Sequence, residues 1–135
     1  MSSGYSGTPL VKKLGIKPDF QIRLIDIPKN YFQLLGPFPE GVTVHQEGGV
    51  DFDFIHLFVK TAAMLERQLP VQMHAIKKKG MIWVSWYKKS AKIPTDVTED
   101  TIRDMALSLG LVDVKVCAVD EKWSGLKLVW RKENR

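Results

Sequence analysis

The chain has 135 residues, a formal net charge of +5 and an apolar fraction of 44%. That length corresponds to one ordinary domain with enough apolar residues for a hydrophobic core. The single cysteine, Cys117, excludes an intrachain disulfide, and no stretch approaches a signal-peptide core or the roughly 20 apolar residues of a membrane span. We therefore expect a cytoplasmic protein that is not a membrane protein and whose basic surface favours anions.

The first 19 residues are expected to precede the main domain. Met1–Gly7 is small and polar. Thr8 and Pro9 then suit the start of a short helix, and Gly15 suits the left-handed residue that ends it. We assign residues 1–19 to an N-terminal segment with a short helix and residues 20–135 to one α/β domain.

From residue 20 the apolar pattern alternates between strands and helices. Strands are predicted at Phe20–Asp26, Val42–Gln46, Phe52–Val59, Met81–Tyr87, Val112–Val119 and Leu126–Arg131. Helices are predicted at Pro28–Leu35, at Thr61–Lys77 with a kink or break at Pro70, and at Thr98–Gly110. The alternation predicts a single three-layer Rossmann-like α/β domain of about six strands, mostly parallel, with a C-terminal antiparallel hairpin.

Several side chains have a plain structural interpretation. Lys77, Lys78 and Lys79 precede a strand and are expected to form a solvated turn. Three of the four tryptophans are expected in the core, whereas Trp123 lies in the predicted hairpin turn and is expected to be exposed. Cys117 has no sequence neighbour that would activate it, so a buried structural thiol is the better interpretation. The three histidines share no ligand spacing, and no metal site is predicted.

The turn after the first strand, Ile27-Pro28-Lys29-Asn30, contains no glycine. A glycine-rich loop binds nucleotides because its backbone amides can approach a phosphate or a cofactor carboxylate. Pro28 has no amide hydrogen, and side chains occupy the approach. We predict no cofactor. Glu47 alone follows the second strand where a ribose-binding acid would lie, although a surface glutamate in a turn is the simpler interpretation.

The strongest candidate site lies where the predicted parallel strands end. Ligands of open α/β sheets bind beyond the carboxyl ends of the strands, near the point where strand order reverses. Such a site would contain Asp26, Lys29, Asn30, Lys60, Thr61, Lys88 and Lys89, with Glu47 as the tentative addition. The lysines and the amides of the helix after Thr61 would form a concave positive patch for an anion. The alternative is that these lysines serve only solubility.

Two resemblances accompany these patterns. GYSGTPLVKKLGIK, PTDVTEDTIRD and LGLVDVKVCAVDEKWSGLK resemble an uncharacterised bacterial family, domain of unknown function number three thousand and fifty-two, which carries no established activity. FDFIHLFV, GMIWVSWYKK and LVDVKVCAVDEKWSGLKLVWRK resemble strands of a truncated class I methyltransferase fold without its glycine loop. The second resemblance implies the strand order 2-1-3-4-6-5, with strand 6 antiparallel, and carries over no catalytic residue.

Three functions remain open at this point. The first is a small non-catalytic binding or regulatory module that acts through a protein partner or a small anionic ligand at the strand ends. The second is an atypical methyltransferase-like enzyme that holds its cofactor without the glycine loop. The third is a weak, electrostatic nucleic-acid binder without sequence specificity, whose affinity would fall steeply with salt. No nucleophile elbow, P-loop or metalloprotease motif is present in the sequence, so motifs give the enzyme interpretation little support. The nucleic-acid interpretation is the least favoured of the three.

Overall fold

Six strands form one mixed sheet in a computed structural model that describes residues 8–46, 48–49 and 51–135. The strands are β1 (Gln21–Ile25), β2 (Thr43–His45), β3 (Phe52–Phe58), β4 (Ile76–Tyr87), β5 (Leu111–Ala118) and β6 (Trp123–Trp130). The α-helices are α1 (Leu10–Lys13), α2 (Tyr31–Leu35), α3 (Ala62–Gln72) and α4 (Glu99–Leu109). Short 3₁₀ turns occupy Lys89–Ala91 and Lys132–Asn134.

The sheet order is β2-β1-β3-β4-β6-β5, which confirms the strand order predicted from the methyltransferase resemblance. The pairs β1–β2, β1–β3 and β3–β4 are parallel. Strand β6 is antiparallel to both β4 and β5, so β5 runs in the same direction as β4. The prediction of a mostly parallel α/β sheet that ends in an antiparallel hairpin is confirmed.

The core is divided between the two faces of the sheet. On one face, apolar side chains of α3 and α4, such as Leu65 and Ile102, pack against β3, β4 and β6. On the other face, α1 and α2 contribute Leu14 and Tyr31 to a second cluster. Central strands therefore have apolar residues on both faces, as helices on both sides require. Residues of the N-terminal helix thus share a core with the sheet.

Strand β4 is longer than predicted, because the three lysines at 77–79 belong to it rather than to a turn. Phe52 pairs with Ile76, and the register then shifts before Phe54 pairs with Met81, which marks a bulge. Gly80 lies at this irregularity, where an added Cβ would lie 2.9 Å from the Phe52 carbonyl oxygen. Only glycine fits so close a backbone approach, and it lets pairing continue toward the amino end of β4.

Helix α3 tolerates a proline in its interior. Pro70 does not divide the helix, because a single helix runs from Ala62 to Gln72, although it ends before the predicted Lys77. Packing of Leu65 and Leu69, both fully buried, holds the segment in place although Pro70 cannot donate a backbone hydrogen bond. None of the helices in the described part of the chain has the length and apolar character to cross a membrane.

Candidate functional site

The carboxyl ends of β1, β3, β4 and β5 lie along one edge of the sheet because these strands share a direction. The strand order reverses beside β1, which has β2 on one side and β3 on the other. Open α/β sheets bind ligands at such a reversal. This edge of the sheet is therefore where we expect a ligand-binding site.

A cleft of about 720 Å³ opens at this edge, and we call it the strand-end cleft. Its volume falls within the range of small-molecule sites. Its lining comes from the loop after β1, from the ends of β3 and β4, and from the β5–β6 turn. The lining residues are Asp26, Ile27, Pro28, Lys29, Asn30, Leu34, Lys60, Tyr87, Ile93, Asp120, Glu121, Lys122 and Trp123.

Side chains line the cleft where a glycine loop would offer backbone amides. Asp26 adopts a left-handed conformation with φ of 55°, which turns the chain sharply after β1. Ile27 and Pro28 follow and both line the cleft. The carbonyl of Pro28 accepts a hydrogen bond from the Tyr31 amide at 3.0 Å, and this contact closes the loop onto α2. A ligand would meet an apolar surface here.

Aromatic rings form a wall on the opposite side of the cleft. The rings of Tyr87 and Trp123 stack with centroids 4.1 Å apart, and Trp123 contacts Phe58 edge-on at 4.9 Å. The expectation that Trp123 is exposed is wrong, since only 4% of its surface is accessible. The cause is that β6 begins at Trp123, so the residue is a strand residue that faces the core and not part of the turn. This wall is rigid and pre-formed.

The charges of the strand-end cleft balance, which differs from the expected positive patch. Asp26, Asp120 and Glu121 face three lysines, Lys29, Lys60 and Lys122. The Asp120 carboxylate already accepts hydrogen bonds from the amides of Lys122 and Trp123, each at 2.8 Å. These contacts fix the Asp120 carboxylate without removing its charge, so three carboxylates and three ammonium groups line the cleft. Such a lining suits a molecule that has an anionic group for the lysines and an apolar body.

The candidate residues divide between two clefts. Four of them, Asp26, Lys29, Asn30 and Lys60, line the strand-end cleft. Lys88 and Lys89 instead line a second cleft of about 780 Å³, and Thr61 lines neither. The expected convergence of Lys60, Thr61, Lys88 and Lys89 in one cleft is therefore not found. Glu47 lies outside the described residues.

The second cleft, which we call the lysine cleft, lies beside the first and shares Tyr87 and Ile93 with it. Lys88, Lys89 and Lys92 come from the loop after β4. The acidic residues on its far side, Glu99 and Asp100, both accept hydrogen bonds from Arg103, and the Asp100 contact is 2.8 Å long. Sequence spacing could not place Lys88 here, because its position depends on a contact that is distant in sequence: its amide donates to the Lys122 carbonyl at 2.8 Å.

The amino end of α3 already holds an anion from its own chain. The Asp96 carboxylate accepts a hydrogen bond from the Ala62 amide at 2.7 Å, and the Thr61 hydroxyl accepts one from the Met64 amide at 3.2 Å. The Thr95 hydroxyl also donates to the carbonyl of Lys60 at 2.8 Å. Two amides in the first turn of α3 are therefore already hydrogen-bonded within the chain, one to the Asp96 carboxylate in the loop before α4 and one to the Thr61 cap.

Replacing Asp96 with alanine is expected to lower the free energy of unfolding by about 1 kcal/mol, because the Ala62 amide loses its cap. Urea unfolding of wild type and variant would measure this loss. Asp104→Ala is the matched control, since Asp104 is also exposed and has the same charge, but its side chain forms no hydrogen bond or ion pair within the described part of the chain. Equal stability of the two variants would contradict the capping role.

A chain of three polar side chains is buried beneath the strand-end cleft. The Tyr31 hydroxyl lies 2.9 Å from His56 Nδ1, and His56 Nε2 lies 2.7 Å from Ser85 Oγ. All three side chains have no accessible surface. Burial lowers the pKa of His56 to about 3 and raises the pKa of Tyr31. A neutral imidazole has one donor and one acceptor nitrogen, which these two hydroxyls satisfy.

The buried chain is a structural feature and not a nucleophilic pair. The Phe58 ring stacks on His56 at a centroid distance of 4.3 Å, and Gly125 faces Ser85 so closely that an added Cβ would lie 3.1 Å from Oγ. No substrate can reach Ser85 through this packing. Sequence analysis missed the group, although His56 and Ser85 each interrupt an apolar run within a central strand, which was a usable signal.

Cys117 is half-buried, and burial raises the pKa of its thiol despite the nearby charges of Lys13 and Lys115. The thiol is therefore a poorer nucleophile than an exposed one, in agreement with the structural interpretation. Among residues 8–46, 48–49 and 51–135, no three His, Cys, Asp or Glu side chains come together as they would around a metal ion.

Comparisons with known proteins concern the fold alone. No protein-family model matches the chain, and no curated protein sequence does either. The similarity to domain of unknown function number three thousand and fifty-two therefore stays a prediction.

Solved structures do match. A ribosomal protein L11 methylase from Lactobacillus delbrueckii subsp. bulgaricus has a TM-score of 0.55 at 12% identity over 90% of this chain and 74% of its own. A TehB-like SAM-dependent methyltransferase from Corynebacterium glutamicum has a TM-score of 0.54 at 12% identity, and the match covers 90% of this chain and 85% of that protein. The structure of a DhpI–SAH complex has a TM-score of 0.55 at 10% identity, and the match covers 91% of this chain and 83% of that one. The chain has the class I methyltransferase fold. At these identities the likeness carries no activity with it.

Proposed function

We propose that the chain is a non-catalytic binding module that holds a small organic anion in the strand-end cleft. The observation that carries this proposal is the composition of the lining. Ile27 and Pro28 lie where a cofactor-binding loop would offer amides, and Tyr87 and Trp123 form an aromatic wall opposite. An apolar or flat body fits between these surfaces, and the ammonium groups of Lys29, Lys60 and Lys122 suit an anionic group at its end.

The non-catalytic part of the proposal rests on the chemistry of the lining. Among the residues that the structure describes, no serine, cysteine or histidine lines the strand-end cleft. The Ser85–His56 contact beneath it is sealed from solvent. The remaining charged groups can bind and orient a ligand, which is enough for a regulatory or carrier role.

Native mass spectrometry of the purified chain tests the proposal directly. We expect an adduct with the mass of an organic anion that is lost under denaturing conditions. The double variant Lys29→Gln/Lys60→Gln should lose the adduct, whereas Lys79→Gln/Lys132→Gln should keep it, because both control lysines are exposed and lie outside the cleft. An adduct retained in both double variants would contradict the assigned site. A protein-sized adduct would indicate the protein partner instead.

The second candidate, an atypical methyltransferase-like enzyme, is favoured by the fold and by the position of the cleft at the strand-order reversal. We expect no thermal shift with millimolar S-adenosylhomocysteine, because Pro28 and its neighbours leave no amide cradle. A ligand at a hundred times its dissociation constant stabilises a protein by roughly 2.7 kcal/mol, or several degrees in melting temperature. A shift of that size would favour the enzyme over the binding module.

A further inference from the structure

Three lysines, Lys17, Lys115 and Lys127, lie together on the α1 face of the sheet, and we call them the lysine trio. Trp83 pairs with Lys127 across β4 and β6, and Lys127 pairs with Lys115 across β6 and β5. Directly opposed residues in antiparallel strands project from the same face. The trio lines neither the strand-end cleft nor the lysine cleft.

The ring of Trp83 fixes the arrangement of the trio. Lys115 Nζ lies 6.0 Å from the centroid of this ring, so the Lys115 side chain leans inward from the edge strand, across the position of Lys127. The Trp83 indole donates a hydrogen bond to the carbonyl of Leu14 at 2.8 Å. That bond holds the segment that leads to Lys17 over the same part of the sheet. Lys115 and Lys127 thus lie beside one buried aromatic ring, and the charge of Lys17 is close enough to act on Lys127.

This arrangement is unfavourable unless an anion is present. Like charges directly opposite each other on a sheet destabilise the pairing. Lys127 is half-buried, and burial together with the charges of Lys115 and Lys17 lowers its pKa. Within the described ranges, no carboxylate forms an ion pair with any member of the trio. The chain therefore collects positive charge here without compensating it.

We propose that the lysine trio binds a small phosphate-type oxyanion, at a site separate from the strand-end cleft. A phosphate group has several acceptor oxygens and more than one negative charge, which matches three ammonium groups that converge from different segments. Binding would place a negative charge between lysines that otherwise repel one another. The inference does not depend on the proposed function of the strand-end cleft.

Calorimetric titration of pyrophosphate into the intact chain, at constant ionic strength, tests the site. We expect saturable one-to-one binding that weakens roughly tenfold or more in Lys115→Gln and in Lys127→Gln, because each variant loses a charge-assisted contact. The matched control is Lys79→Gln, which makes the same change in net charge at an exposed position outside the trio. Absence of saturable binding, or an equal loss in Lys79→Gln, would overturn the proposal.

Thermal unfolding gives a second, independent result. Without added anion, Lys127→Gln should raise the melting temperature by roughly 2–4 °C relative to Lys79→Gln, since it removes a repelled and half-buried charge. Pyrophosphate at a concentration that saturates the wild type should abolish this advantage, because it stabilises the wild type more than the variant that binds it more weakly. The site would be refuted if pyrophosphate raised the melting temperature of Lys127→Gln as much as that of the wild type.

Discussion

Replacing His56 with glutamine is expected to flatten the dependence of stability on pH below about 6.5. In the folded chain, burial lowers the pKa of His56 to about 3, against 6.5 for an ordinary histidine. The folded state therefore keeps His56 neutral while the unfolded state takes up a proton as the pH falls. This contribution is fully present above pH 6.5 and is lost at up to about 1.4 kcal/mol per pH unit as the pH falls to about 3.

Urea unfolding at several pH values between 7 and 4 would measure the effect. Other groups also titrate in this range, so the informative quantity is the difference between wild type and His56→Gln. His74→Gln is the matched control, because His74 is exposed and its replacement should leave the slope unchanged. At pH 7 we expect His56→Gln to be less stable than the wild type, since glutamine cannot reproduce both hydrogen bonds that the His56 ring forms with Tyr31 and Ser85. Parallel profiles for all three proteins would show that His56 is not held neutral.

Replacing Trp83 with alanine is expected to lower the free energy of unfolding by about 3–5 kcal/mol. The side chain is fully buried and is among the largest in the core. Its loss would leave a cavity between α1 and the sheet, and it would also remove the bond from the indole to the Leu14 carbonyl. A loss of this size approaches the total stability of a marginal domain.

Trp83→Phe separates the two contributions. It keeps most of the apolar volume and removes the hydrogen bond, for which we expect a loss of about 1 kcal/mol. Hydrogen exchange should then become faster at the amides of Leu14 and Ile16, which bond within the N-terminal segment. If Trp83→Ala cost less than about 1 kcal/mol, or if Trp83→Phe left exchange at those amides unchanged, the role of Trp83 in holding α1 would be wrong.

The sheet was predictable because its central strands have an unambiguous pattern. FDFIHLFV and MIWVSWY have apolar residues on both faces, a pattern typical of a central strand that helices cover on both sides. The helix between them has a clear start at Thr61. The order of the strands came from the methyltransferase resemblance. The amino end of β4 was not predictable, because a bulge that depends on the fit of Gly80 against the Phe52 carbonyl leaves no periodic signal.

The candidate site was predictable only in part. The loop after β1 and Lys60 could be assigned to the strand-end cleft from the rule for strand ends alone. The direction of the loop after Tyr87 depends on contacts of residues 92–98 with α3, such as Asp96 with Ala62, and these contacts are distant in sequence. The same holds for the lysine trio, since the pairing of Lys115 with Lys127 requires the register shift after Asp113. The spacing of lysines along the sequence therefore does not reveal which of them the strand register brings together.

The position of β6 between β4 and β5 constrains how the chain can fold as it is made. Strand β5 emerges from the ribosome before β6, yet its only strand partner in the described sheet is β6. Until β6 emerges, β4 has an open hydrogen-bonding edge beside apolar side chains such as Trp83 and Val84. An open apolar edge is a template for pairing with another chain. Nascent chains are therefore most exposed to aggregation during the short interval between synthesis of Tyr87 and insertion of the final strand.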